Sequence, residues 1–165
     1  MEESLDHLGA GGRARTGLAV DLALIKLRDA KNKKRALLFF SAGRDIAGPA
    51  TIDHLAKFRY PVYALGIRWE EGVSGAFEQL KNFNLKGSAL KVYADQSGGN
   101  AIVAGSTHEA EQALDRLCYE LKNQYRLEYV SSNQDPSKKM RKMEIKTKNP
   151  EHETRHLKKY LFTAK

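Results

Sequence analysis

Ala36-Leu37-Leu38-Phe39-Phe40 is the longest uninterrupted apolar run in the chain. Five residues make a strand, and no polar residue alternates among them. A strand of that kind has both faces covered, which places it in a parallel sheet with helices above and below. Upstream, from Thr16, Leu18, Leu22 and Ile25 fall on one helical stripe and Val20, Leu24 and Leu27 on the next. A helix so broadly apolar expects a sheet beneath it. Residues 31–35 form a polar, basic turn between that helix and the strand. Downstream, residues 41–45 read as a loop, and Thr51 reads as the cap of a helix whose Ile52, Leu55 and Phe58 share a face. Pro61 closes the turn, and residues 60–69, with Val62, Tyr63, Leu65 and Ile67, predict a second strand ending near Trp69. Strand, helix and strand then repeat. Residues 70–87 carry weak helical character around 76–83, Ser88 caps a helix that stops at Gly98-Gly99, and residues 100–104 are a third strand. Thr107 opens a helix with Ala110, Leu114, Leu117, Cys118, Leu121 and Tyr125 on its apolar stripe.

The final third has another pattern. Residues 126–131 and 140–148 alternate apolar and polar around a turn at 133–136, which predicts an antiparallel hairpin, and Tyr160-Leu161-Phe162 reads as a further edge strand. Residues 1–15, with Gly9, Gly11 and Gly12, read as a helical turn and a loop. The expected fold is therefore α/β: a partial doubly wound, Rossmann-like parallel sheet flanked by helices, with antiparallel strands at its C-terminal end. The division is an α/β body over 1–132 and a basic extension over 133–165.

Composition narrows the function. With 41% apolar and 29% charged residues in 165, the chain is a folded domain, neither disordered nor fibrous. No run approaches the roughly 20 apolar residues of a membrane helix. The first thirty residues have neither the basic nor the apolar region of a secretory signal, which makes cytoplasmic the default and leaves the location unknown. One cysteine, Cys118, excludes an internal disulfide. The net charge of +8 points towards nucleic acid or anionic membrane, but it is unevenly spread. Residues 1–135 hold 18 Lys and Arg against 17 Asp and Glu, and residues 136–165 hold 10 against 3.

The order of motifs resembles the von Willebrand factor A domain, in the "VWFA-related" form of acidobacterial proteins. Residues 11–27 look like its G-G-x-T-x-L-x-D-A-L loop and helix, and residues 35–45 like its R-K-A-L-L-x-x-S-D-G-x-D strand and loop. Residues 89–103 are similar to L-x-x-L-A-x-x-T-G-G-x-x-F. Residues 113–129 match A-x-x-x-I-x-x-x-L-x-x-Q-Y-x-L-x-Y, with Leu121, Gln124, Tyr125, Leu127 and Tyr129 in register. Residues 141–145 and 159–162 follow the family's closing strands. The resemblance spans essentially the whole chain yet only the second half of a complete A domain.

In the family a first strand ending in D-x-S-x-S, with a Thr and an Asp from later loops, holds Mg²⁺ and leaves one position for a partner's carboxylate. The resemblance puts the Thr at Thr16 and the Asp at Ala42, which has no side-chain oxygen, and finds no counterpart of D-x-S-x-S. It therefore implies a degenerate metal site and no bound metal. It also implies that the strand at 36–40 lacks its central neighbour, a loss of cover on the order of 10 kcal/mol, comparable with a domain's whole stability. A protein partner or self-association at that edge is the expectation.

Other chemistry reads more weakly. Asp95-Gln96-Ser97-Gly98-Gly99 follows a helix, unlike the ligand loop it imitates, and Asp45 reads as a turn former. His152-Glu153-Thr154-Arg155-His156 spells H-E-x-x-H, but beside Pro150 in an extended segment it lacks the helix and third ligand of a zinc protease. Cys118 on an apolar stripe reads as a packing residue, and Trp69 as a rim residue. Gly9 to Gly12 lack the Lys-Ser/Thr of a P-loop. Lys138, Lys139, Arg141, Lys142, Lys146 and Lys148 form a possible anion-binding set, or the solubilising charge of an edge strand. The sequence predicts a non-catalytic protein–protein interaction module. The alternative is a nucleic-acid or anionic-surface binder acting through the basic hairpin.

Overall fold

The apolar run becomes the first strand of the computed structural model, which describes residues 15–41, 47–67, 87–133, 135, 137 and 139–162. The elements are α1 (Thr16–Arg28), β1 (Leu37–Ser41), α2 (Pro49–Phe58), β2 (Val62–Ile67), α3 (Ala89–Ser97), β3 (Ala101–Ala104), α4 (Thr107–Lys122), β4 (Met140–Lys142) and β5 (Lys159–Leu161). Strands β1, β2 and β3 form a parallel sheet in that order, and β4 and β5 a separate antiparallel pair. The molecule is thus an α/β protein of the Rossmann-like type.

Register sorts the side chains. Leu37 lies beside Val62, and Phe39 beside Ala64 and, one strand further, Ala101. These face α1, α2 and α3, where Val20, Leu24, Leu55, Ala89 and Tyr93 close the largest cluster and Leu90 and Ala94 pack on Ala64. Two crossovers that step in one direction place α2 and α3 on one face if both are right-handed, and both lie there. The opposite face carries α4, with Ala113, Ala110 and Leu114 over Leu65, Ile102 and Ala104.

The ends of α3 show how sequence sets position. The Ser88 hydroxyl accepts from Lys91 N–H, as a capping serine does. Gly98 takes φ 82°, the left-handed conformation that closes a helix without a Cβ penalty. A Cβ on Gly99 would stand 1.9 Å from the Val62 carbonyl oxygen, so only glycine lets the chain pass so close to β2. Ser97 completes the junction: its hydroxyl accepts from Val62 N–H at 2.9 Å and donates to Ala94 O at 3.1 Å.

Several expectations are corrected. Thr51 is not a cap. The N-caps are Arg15 and Gly48, neither with a capping side chain, and Thr51 instead is buried, donating to Asp21 Oδ2 at 3.2 Å. Cys118 is exposed, because the buried line of α4 runs through Ala113 and Leu117 and a residue one further on points about 100° away. Tyr125 lies beyond the helix and is 96% exposed. Only one of the two stripes of α1 is buried: Val20 and Leu24 face the sheet, and Leu18, Leu22 and Ile25 face outwards.

The predicted hairpin has a different partner. β4 pairs with β5, matching Met140 to Leu161, Arg141 to Tyr160 and Lys142 to Lys159, and residues 126–131 form no strand. Arg141 accounts for this, since its guanidinium donates to Ser131 Oγ and to the carbonyls of Asn133 and Asp135 and lies over the Phe162 ring. It straps the turn across β4, and Tyr129 meets Tyr160 edge-on. The strand pair is fastened to the body by Arg59 Nη2 to Leu161 O (2.7 Å), Lys158 N to Gln96 O (3.0 Å) and Arg155 to Glu120 (2.7 Å). Trp69, the residues around 76–83 and the opening turn lie outside the described residues.

Candidate functional site

Leu37 N–H donates to Pro61 O, across to β2. In a parallel ladder alternate residues turn their peptide groups to the same neighbour, so Leu38 and Phe40 present theirs to the opposite side. Among the described residues no strand lies on that outer edge of β1. Above it, Arg15, Thr16, Ala19 and Ala23 of α1 and its N-cap and Phe39 and Ser41 of β1 line a groove of about 270 Å³. Below it, α4 covers β2 and β3 and leaves Phe40 53% exposed. On the far side of α1, Leu18, Leu22 and Ile25 are 53%, 56% and 40% exposed. Edge, groove and Phe40 form one apolar corner offering main-chain donors and acceptors.

Its ends are charged. Arg15 stands by Ser41 at one end of the groove. At the other, α1 closes with Lys26 and Arg28, and the loop into β1 carries exposed Lys31, Lys33 and Lys34. Asp29, the acid of this stretch, is taken by Arg28, with Oδ1 3.0 Å from Nε, and that bond holds its carboxyl below the usual range. Arg35 is occupied otherwise, giving hydrogen bonds to the carbonyls of Arg28, Ala30 and Asn32 and to Tyr60 Oη. It closes the C-terminus of α1 and fixes the loop.

Of the candidate metal residues, Thr16 alone is described. Thr16 is 8% exposed at the groove, and Ala42 and Asp45 lie outside the described residues. A hard cation wants about six oxygen ligands. Thr16 is surrounded by Ala19, Val20, Leu37 and Phe39, with Ser41 the other hydroxyl and Arg15 adding positive charge, so the described residues do not fit Mg²⁺. Among them no three His, Cys, Asp or Glu gather. Asp95 pairs with Lys91, and Ser97 serves Val62. Residues 152–156 are not helical, and His156 Nε2 accepts from Ile145 N–H at 3.2 Å.

The described members of the basic set differ in their surroundings. Lys138 lies outside the described residues, Arg141 is the strap just described, and Lys146 stands 3.2 Å from Glu144. Lys139, Lys142 and Lys148 are exposed.

No motif in the sequence points to the Asp21 clasp between α1 and α2. Asp21 Oδ1 lies 3.0 Å from His54 Nδ1 while Oδ2 takes the Thr51 hydroxyl. Contacts between residues about thirty apart leave no local spacing to read. Tyr93 was equally silent: fully buried, its hydroxyl accepts from Gly48 N–H at 3.0 Å and fixes the start of α2.

The fold defines an α/β protein whose parallel sheet, among the described residues, has no further strand beside β1. Comparison of the chain with protein-family models, curated proteins and solved structures finds no match.

Proposed function

We propose that this chain is a non-catalytic protein–protein interaction module of the von Willebrand A-like kind, without a working metal ion-dependent site, and that partners dock on the outer edge of β1. The observation that carries the reading is that, among the described residues, no strand lies beside β1. Leu38 and Phe40 offer peptide groups to a fourth strand, with the half-exposed Phe40 ring and the α1 groove ready to cover its side chains. Strand addition of this kind draws affinity from main-chain hydrogen bonds and specificity from alternate side chains.

The test uses a neutral peptide of alternating valine and threonine. Saturable binding, slowed amide exchange at Leu38 and Phe40, and loss of both in Phe40→Pro support it. Proline removes an outward N–H and leaves the β1–β2 ladder whole; Phe40→Lys, which keeps the N–H, serves if that variant misfolds. Binding unaffected by either change, or none at all, overturns it.

The basic strand pair supports a second reading, an anionic-surface binder, through one observation: Lys142 and Lys159 stand directly opposite. Like charges so placed are destabilising unless an anion sits over them. Binding to heparin or duplex DNA that falls steeply with salt, and is lost in Lys142→Ser with Lys159→Ser, would favour it.

A further inference from the structure

Building on the docking edge just proposed, we infer that its occupant is an apolar strand with carboxylates at both ends, supplied by a different protein and not by a second copy of this chain. β1 has five residues, about 17 Å at 3.3–3.4 Å each. A strand laid beside it runs from the Ser41 end, where Arg15 lines the groove, to the Leu37 end, where the basic loop enters. Between these ends it meets Ala19 and Ala23 on α1 and Phe40 below. Lys26 lies on the same row of the helix as those alanines, at spacings of four and three. With Lys31, Lys33 and Lys34 it makes four ammonium groups that have no ion-pair partner among the described residues, and Asp29 is already held by Arg28.

The same arrangement disfavours a symmetric dimer. Pairing two β1 edges antiparallel sets the lysine loop of each copy against Arg15 of the other. Pairing them parallel sets loop against loop. Both bring cations within the roughly 8 Å over which charge is felt at physiological salt, in a chain whose net charge is already +8. An acidic-ended strand converts each of these repulsions into attraction and raises the association rate.

The probes are three peptides sharing a Val-Thr-Val-Thr-Val centre, with two Glu, two Ser or two Lys at each end, read by fluorescence anisotropy on the full chain. The Glu-ended peptide is expected to bind at least tenfold tighter than the Ser-ended one, and the Lys-ended one at least tenfold weaker. The order should invert in Lys31→Glu/Lys33→Glu/Lys34→Glu, whose side chains are exposed and unpaired, and the spread should shrink in 0.5 M salt. Equal affinities for the three peptides overturn the acidic-partner inference and leave the docking edge standing. Binding of none, or binding indifferent to Phe40→Pro, overturns both. A sedimentation equilibrium dimer at tens of micromolar, abolished by Phe40→Lys, overturns the choice of occupant.

Discussion

Replacing Ser97 by alanine isolates one hydrogen bond at the junction of α3 with the sheet. Ser97 is 4% exposed, and the Val62 N–H that it accepts belongs to a residue with no exposed surface. Alanine keeps the carbon framework and removes the acceptor. Ala94 O loses the hydroxyl but still receives Gly99 N–H at 3.0 Å, so the orphan is the Val62 donor alone. A buried donor left unpaired costs about 1–3 kcal/mol. The better helix propensity of alanine over serine returns about 0.5 kcal/mol, leaving a net loss of roughly 0.5–2.5 kcal/mol. For a chain of 165 residues each kcal/mol moves Tm by about 2–4 °C, so the melting point should fall by about 1–10 °C, with most of that range above 3 °C. Circular dichroism melting with a parallel urea titration measures it, and an unchanged m value shows that the native surface is intact. Ser106→Ala, at an exposed cap accepting from Glu109 N–H, is the control at about 1 kcal/mol. If Ser97→Ala melts with the wild type while Ser106→Ala does not, Val62 N–H is not satisfied by that hydroxyl and the reasoning fails.

Leu117→Ala should cost about 2–5 kcal/mol in a urea titration, while Cys118→Ala next to it changes stability by less than about 0.5; the Cys118 thiol should react with a thiol reagent in the native protein within minutes. Gly99→Ala must displace β2 or the α3 end and is expected to abolish the cooperative transition; a variant melting within a few degrees of the wild type would contradict the close approach to Val62. Desolvation of its hydroxyl, with Tyr160 beside it, pushes the phenol of the largely exposed Tyr129 up to about 12, and the interaction with Tyr129 lowers that of Tyr160 below the ordinary value. Absorbance at 295 nm should therefore show Tyr160 ionising early and Tyr129 late, as the buried Tyr63 also does, and Tyr160→Phe should remove the early component. Because the folded state holds the Tyr129 proton more tightly than the unfolded chain, its contribution to stability is lost as pH climbs from 10 to about 12, which pH-dependent melting of Tyr129→Phe beside wild type would reveal.

What could be read in the sequence was whatever a few neighbouring residues dictate. The unbroken run at 36–40, the β-branched and aromatic residues at 62–67, Ser88 three residues before Lys91 and the paired glycines at 98–99 each placed an element or its end within a residue or two. Thr51 failed as a cap because the helix starts two residues earlier, at Pro49 with Gly48 as its N-cap, and the Thr51 hydroxyl, already inside the first turn, goes to Asp21. Cys118 failed because periodicity identifies a stripe but not its centre. The hairpin failed because the choice between two alternating segments as partner for β4 was made by one arginine reaching backwards to the turn. The candidate site was half legible: the apolar breadth of α1 showed that more than one surface needed cover, and the outer edge of β1 followed only from strand order.

The attachment of the C-terminal strand pair separates covalent from physical continuity. Residues 124–130 are all exposed, whereas Glu120, 17% exposed, receives both Asn100 and Arg155, and Arg59 reaches Leu161 O. A trypsin cut after Arg126 would divide the chain into two pieces held by these contacts, so the nicked molecule should elute as a single particle until denaturant parts them. The peptide link there serves as a tether, and the seam that matters mechanically runs from the Glu120 carboxylate to the carbonyl of Leu161.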